Sequence, residues 1–318
     1  MLIHTTSSDL DRLRTGATFV VTRPAVFRIE GPGAVDCVQG LLTTDVERPG
    51  PDSLVYGALL TAKGMIVVDY WVLRDHNGLT LVAPLEGHGP SLDLFRRNLP
   101  PRLARLTDRT GEWEVIWGIG DGTERTLRTA GLPWPPPGRL ELLPVIPGPV
   151  EVAQPDGHAP GQAVILTPGG AVEGIMARLV AAGGVAGLPH DAEAARILAG
   201  FPRLGAEIGD KTLPQEVRYD EIGGVSYTKG CYVGQETVAR VHFRGHANRM
   251  LRGVTWEGEA PTEMVVTADA REVGRITSSL QFENGGFGLV VLRREVEPDT
   301  EVLVAGRPAR VNLLPFAR

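Results

Sequence analysis

Two side chains stand apart from their surroundings. Cys231 lies in "TKGCYVGQETVAR" (228–240), flanked by Gly230 and Tyr232 and two residues beyond Lys229. Gly230 and Gly234 allow backbone conformations closed to other residues and a close approach by another molecule. Downstream come Arg240, His242, Arg244, His246, Arg249 and Arg252. Cations near a thiol lower its pKa below ~8.5 and favour the thiolate, which is the nucleophilic and redox-active form. A buried inert cysteine is the alternative, and local chemistry leaves both open. Cys37, in an apolar helical pattern, fits the inert reading. Zinc held by Cys231, His242 and His246 would lack the close second cysteine of a structural site. Asp69 is the second anomaly, because it interrupts the apolar strand "GMIVVDYWVLR" on the face of Met65, Val67, Trp71 and Leu73. A carboxylate there needs a cation or a donor. Either an arginine of a neighbouring element pairs with it, or it accepts a hydrogen bond from a ligand N–H. A flat nitrogen-rich heterocycle would suit a site with Tyr56, Tyr70 and Trp71 nearby.

The elements that must position these groups are legible in part. "GATFVVTRPAVFRIEG" reads as strand, turn, strand, and a helix entered through Pro32 follows. Three strands come next, "SLVYGALLT", "MIVVDYWVLR" and "LTLVAP", the last two joined at Asn77-Gly78, a hairpin signal. "GPSLDLFRRNL" is a helix with Leu92, Phe95 and Leu99 inward. A second block begins at "WEVIWGIG" and contains the strand "QAVILTPGG" and an amphipathic helix, "AVEGIMARLVAAGG". "DAEAARILAG" is a shorter helix with Asp191 expected as its N-cap. The proline-rich stretch 131–149 must be an extended connection or an edge. Both blocks combine strands with a helix, which suggests a duplicated α+β unit. From about 247 the chain becomes short strands divided by turns, the pattern of a small β-barrel or sandwich.

The 318 residues are 42% hydrophobic and 22% charged, which excludes a disordered or fibrous chain and suits about two domains. No apolar run approaches the ~18 residues of a membrane span. The N-terminal residues resemble neither a secretory signal nor a transit peptide. Two distant cysteines make no disulfide framework, so a reducing, cytoplasmic setting is expected. A net charge of −6 disfavours whole-surface attraction to nucleic acid. The basic run 240–252 is therefore expected to be a solvated face, and an RNA-binding module is the third functional class to test.

The segment "VSYTKGCYVGQETVAR" (225–240) resembles the signature of the folate-binding YgfZ proteins, Lys-Gly-Cys-Tyr-x-Gly-Gln-Glu followed by Arg. "VQGLLTTDV" (38–46), "ARILAGFPRLGAEI" (195–208) and "EVGRITSSL" resemble further parts of that family, and the likeness is weakest over 111–165. The family is similar in fold to the T-protein of the glycine cleavage system, a tetrahydrofolate-dependent aminomethyltransferase. The resemblance implies an α+β fold, with related subdomains at about 1–110 and 111–245 around a folate channel and a C-terminal β-barrel over 246–318. It implies tetrahydrofolate, or another reduced folate, as cofactor. "GMIVVDYWV" aligns with a T-protein strand whose aspartate contacts folate near N10, which puts Asp69 there. Tyr70, Arg196, Tyr232, Gln235 and Glu236 complete the expected cofactor set. Cys231 would be the reactive thiol, with Lys229 and Arg240 lowering its pKa.

What this implies for function is an accessory protein, monomeric and cytoplasmic, that supports assembly or repair of iron–sulfur enzymes, including a tRNA-modifying one. Its partners would be folate and those enzymes, with no membrane and no direct nucleic-acid contact. The alternative is a folate-dependent aminomethyltransferase or demethylase. One departure counts against it: the T-protein has "RLEAG", with a glutamate that helps hold the pterin, and this chain has "RILAG", with Leu198 at the acidic position.

Overall fold

A computed structural model describes residues 2–144, 148–157 and 159–316. Residues 145–147 of the proline-rich stretch lie outside the described residues. Two antiparallel-rich sheets and a barrel account for nearly all strands. The first sheet runs in the order Ser53–Leu60, Ile66–Arg74, Gly78–Ala83, Ala25–Glu30, Arg105–Asp108. Its outer face, with Phe27, Ile29, Tyr70 and Leu81, is covered by the helices Ala34–Gln39 and His88–Asn98. The second sheet runs Val185–Ala186, Thr18–Thr22, Trp113–Ile119, Ala163–Pro168, Val150–Ala153, Leu140–Leu143. The helices Thr123–Thr129 and Val172–Ala181 cover its outer face through Leu127, Ile175 and Leu179. The inner faces meet in a shared core in which Val26, Leu54, Leu73 and Val82 pack against Val115, Val164 and Leu166. Each such fully buried aliphatic side chain contributes about 1.5–3 kcal/mol relative to exposure.

Two segments of the chain share one local strand–turn–helix arrangement. Strand Gly78–Ala83 passes through Pro84 into a 3₁₀ turn and helix His88–Asn98. Strand Ala163–Pro168 passes through Pro168 into a 3₁₀ turn and helix Val172–Ala181 in the same way. The two prolines have nearly the same dihedrals, φ −52°, ψ 145° and φ −55°, ψ 139°.

The C-terminal strands close on themselves. Arg271–Phe282, Val265–Ala268, Glu301–Val304, Arg307–Asn312, Arg249–Glu257 and Gly285–Arg293 form a six-stranded ring, closed by pairing of the first with the last. They lie where the sequence shows short strands divided by turns. Closure removes the open edges that short antiparallel strands would otherwise present.

The sheets exchange strands across the expected division at about 110. Thr18–Thr22, early in the chain, pairs with Trp113–Ile119 in the second sheet. Leu2–His4 adds in parallel to the barrel strand at Ser279, Leu280 and Gln281. Two helix starts also differ from expectation. The helix after Pro32 spans only Ala34–Gln39, with Gly33 as its cap. The helix expected at Asp191 starts at Pro189, and Asp191 at its third position accepts the Leu188 N–H at 2.7 Å. Its other carboxylate oxygen receives Arg12 at 2.8 Å, so the helix start is tied to the N-terminal helix Ser7–Thr15. Leu140–Leu143, within the proline-rich stretch, is an edge strand, where a missing N–H does least harm.

Candidate functional site

Helix Pro189–Leu198 packs between the second sheet and the barrel. Beside it lies a cavity of about 340 Å³, within the size range of small-molecule sites. Asp69 and Trp71, two residues apart on one strand, both line it, as alternation requires. Trp71 stacks on Phe201 at 5.8 Å and meets Trp117 edge-on, also at 5.8 Å. Arg23, Glu193, Arg196 and Arg203 supply charge along the same wall.

Asp69 is buried, and its two oxygens are treated differently. Oδ2 accepts the Tyr56 hydroxyl at 2.8 Å, and Tyr56 in turn lies 3.1 Å from the Tyr219 hydroxyl. Because the Tyr56 proton points to the carboxylate, Tyr219 donates to Tyr56. Oδ1 is buried and makes no hydrogen bond to another of the described residues. Burial pushes this carboxyl up from its ordinary 3.8 to about 6, opposed by the Tyr56 bond. A buried acceptor without a donor costs free energy unless a ligand supplies one. An orphaned carboxylate oxygen on an aromatic-walled cavity fits a flat ring bearing N–H groups, so these residues suit a pteridine. The arginine partner weighed for Asp69 is not its hydrogen-bond partner, since a tyrosine relay takes that place. Sequence reasoning missed Tyr219, which lies far along the chain, beyond a single 3₁₀ turn.

Two residues expected to bind cofactor are placed otherwise. Tyr70 points to the opposite face of its strand, into the core under helix His88–Asn98. Its hydroxyl donates to Ser91 Oγ at 2.5 Å, and Ser91 donates to the Gly87 carbonyl at 2.6 Å. The period of two puts Tyr70 there because it puts Asp69 on the cavity. Arg196 does line the cavity, but its five N–H groups are occupied. Nε and Nη2 take the Glu193 carboxylate at 2.8 and 2.7 Å. Nη1 takes Glu207 Oε2 at 2.9 Å and the Phe201 carbonyl at 2.5 Å, and Nη2 also takes Ser278 Oγ at 2.6 Å. Arg196 therefore positions other groups and has no donor left for a ligand.

The signature segment is built around anchors. Lys229 Nζ donates to the carbonyls of Gln39, Leu42 and Thr44 at 2.6, 2.7 and 2.7 Å. Two motifs 190 residues apart are thus fastened to each other. Burial pushes the ammonium down to about 8, opposed by the nearby charge of Asp45. With its protons directed at these carbonyls, Lys229 is a clamp, and the expected role of lowering the thiol pKa finds no contact to support it. Tyr232 is buried beneath it, with Nζ 5.3 Å from the ring centroid. Tyr232 and Val238 share a core with Tyr56, Phe201 and Tyr219, so the segment continues the cavity wall from behind. Gly234, at φ +83°, caps helix Gln235–Arg244 and lies against the hairpin turn at 61–64. A Cβ on Gly234 would come within 2.6 Å of the Thr61 carbonyl oxygen. Between these anchors Cys231 is exposed, as are Glu236 and Arg240. None of the three, nor Gln235 or Tyr232, lines the Asp69 cavity. We expect Lys229→Met to destabilise the fold by about 3 kcal/mol, since unpaired buried acceptors cost about 1–3 kcal/mol each. Denaturant midpoints check this, and an unchanged midpoint would remove the clamp.

The basic run splits at the barrel. His242 stacks on Tyr227 at 3.7 Å and reaches Asp220 at 3.3 Å. His246 and Arg249 border a polar surface cleft with Arg293, Arg294, Glu295 and Glu297, so the cations there are interleaved with acids. Among the described residues no cluster of His, Cys, Asp or Glu is placed to hold a metal ion, and no helix is long and apolar enough to cross a membrane.

No family model matches the chain. Part of it is similar to curated proteins named tRNA-modifying protein YgfZ. The match to the one from Vibrio atlanticus is 34% identical over 125 residues, 36% of this chain and 39% of that protein. For Vibrio vulnificus it is 37% over 114 residues, 33% of this chain and 35% of that protein. For Escherichia coli it is 31% over 126 residues, 37% and 39%. The matched region is thus less than two fifths of the length of these relatives. Among solved structures, aminomethyltransferase T of the glycine cleavage system from Bartonella henselae superposes with a TM-score of 0.82 at 18% identity. That superposition covers 98% of this chain and 89% of the other. The chain has the T-protein fold, and its sequence likeness to YgfZ proteins holds over about a third of its length.

Proposed function

We propose that the protein binds tetrahydrofolate, or another reduced folate, in the Asp69 cavity. In this reading it acts in the cytoplasm as an accessory to the assembly or repair of iron–sulfur enzymes, one of them tRNA-modifying. The observation that carries the folate part is the orphaned Asp69 Oδ1 on a cavity walled by Trp71, Trp117 and Phe201. The name of the relatives, tRNA-modifying protein, supports the client class. The iron–sulfur part rests on the signature segment. Cys231 is the reactive thiol of the proposal and acts at the surface, on a group presented from outside, because it is exposed and does not line the folate cavity.

Two measurements separate the parts. Calorimetric titration with tetrahydrofolate should show one saturable site, and absence of binding would end the folate reading. Cys231→Ser should bind tetrahydrofolate within about twofold of wild type. It should nevertheless fail to restore an iron–sulfur enzyme in cells lacking the native protein. Full restoration would remove the thiol from the function. Formation of methylene-tetrahydrofolate from an aminomethyl or N-methyl donor would replace the accessory reading with the transferase one. Binding to RNA that falls steeply with salt and is indifferent to folate would replace both.

A further inference from the structure

The tyrosine relay behind Asp69 ends blind. Tyr219 is 0% exposed, and among the described residues its hydroxyl meets one partner, Tyr56, at 3.1 Å. Its ring is held in place. Gly224 lies against it so closely that a Cβ there would collide with the ring. The preceding Arg218, at φ +67°, is pinned by its guanidinium to the carbonyls of Ala199, Gly200 and Leu314 at 3.2, 2.7 and 2.9 Å. Two hydroxyls and one carboxylate oxygen thus share two hydrogen bonds, and the protons decide their direction. With Asp69 ionised, Tyr219 donates to Tyr56 and Tyr56 donates to Oδ2, so every proton has an acceptor. A proton on Oδ2 would reverse the order. Tyr56 would then have to donate to Tyr219, and the Tyr219 proton would be left buried without an acceptor, which is disfavoured.

We infer that Tyr219 is a positioning residue: acting through Tyr56, it holds Asp69 Oδ2 as an acceptor and confines any proton of this carboxyl to Oδ1. Hydrogen bonds in a chain strengthen one another by about 10–30% each, so the Tyr219 hydroxyl makes Tyr56 the stronger donor and the carboxylate the harder to protonate. The other charged groups facing Asp69 do not hydrogen-bond to it. Arg196 on helix Pro189–Leu198 and Glu86 in the turn after strand Gly78–Ala83 act on it through charge, and Arg23, Glu193 and Arg203 lie along the same cavity. Loss of the Tyr219 hydroxyl leaves all five in place. On the folate reading, on which the consequence for binding rests, Asp69 offers the ligand one atom, Oδ1, as an acceptor when ionised and as a donor when protonated.

The test follows the Asp69 carboxyl itself, by NMR of the free protein labelled with ¹³C at aspartate carboxyls, its signal identified by its loss in Asp69→Asn. Wild type should titrate at about 6. Tyr219→Phe should raise the midpoint by about half a pH unit, roughly threefold in the protonation constant. Tyr56→Phe, which removes the direct bond, should raise it by about one pH unit or more. Both variants keep the ring and lose one oxygen. Tetrahydrofolate affinity, measured over the same pH range, should follow each protein's own midpoint, whereas a loosened fold would lower affinity at every pH and leave the midpoint in place. An unchanged midpoint in Tyr219→Phe overturns the inference, whether or not folate binds. Shifted midpoints in a protein that does not bind tetrahydrofolate uphold the relay and overturn the folate reading.

Discussion

Asp69→Asn is expected to make the free protein more stable and the folate-binding protein weaker. Burial raises this carboxyl from 3.8 to about 6. Between those values the folded chain keeps a proton that the unfolded chain has released. Stability therefore falls as pH rises through that window, and the full cost of the buried charge is present above about pH 6. Asparagine removes the charge and keeps an acceptor for Tyr56. At pH 7.5 the variant should gain on the order of 1–3 kcal/mol, shrinking towards nothing near pH 4. Tetrahydrofolate affinity should fall roughly ten- to a hundredfold, the cost of a lost hydrogen bond to a charged group. Wild-type affinity should itself rise as pH passes upward through about 6, a rise the variant lacks. Denaturant midpoints at the two pH values, with calorimetry beside them, read both effects. A variant that is no more stable and binds equally well would return the carboxylate to a structural role.

Arg196→Met is expected to cost about 3–5 kcal/mol, because it strands buried carboxylates. Glu207 is the one that decides, since its side chain is 0% exposed and would keep only hydroxyl and backbone donors. Arg196→Lys should recover little: an ammonium cannot bridge two carboxylates, a serine and a carbonyl with three protons on one nitrogen. Adding Glu207→Gln to Arg196→Met should recover a large part of the loss, which separates charge stranding from lost packing. Unfolding transitions of the three variants decide it; equal loss in the double variant would show packing to be the cause.

How far the sequence could be read depended on how local each cause was. The barrel strands were legible because alternation and turn residues are set within a few positions. Asp69 was legible as an interruption of its own strand, and its partner on the wall, Trp71, followed from the period of two. Tyr70 was misassigned to the ligand by the same proximity, although that period turns it into the opposite core. Arg196 was found, but its five occupied N–H groups involve Glu207 and Ser278, which no spacing connects. The Lys229 ammonium reads as a neighbour of the thiol because only Gly230 separates the two in sequence, whereas its acceptors lie in residues 39–44. The short strand Thr18–Thr22 was visible, and its membership of the second sheet was not, since pairing over such separations leaves no periodic mark.

The parallel pairing of Leu2–His4 with Ser279, Leu280 and Gln281 has a consequence for how the molecule is made. Leu2–His4 leave the ribosome 277 residues ahead of the strand that pairs with them and must wait for it before they have those hydrogen-bond partners. Until then their edge is open to any other extended strand. Vectorial synthesis thus gives the two helix-backed sheets time to collapse first, and Leu2–His4 is seated after them, when the barrel strand Arg271–Phe282 has been made.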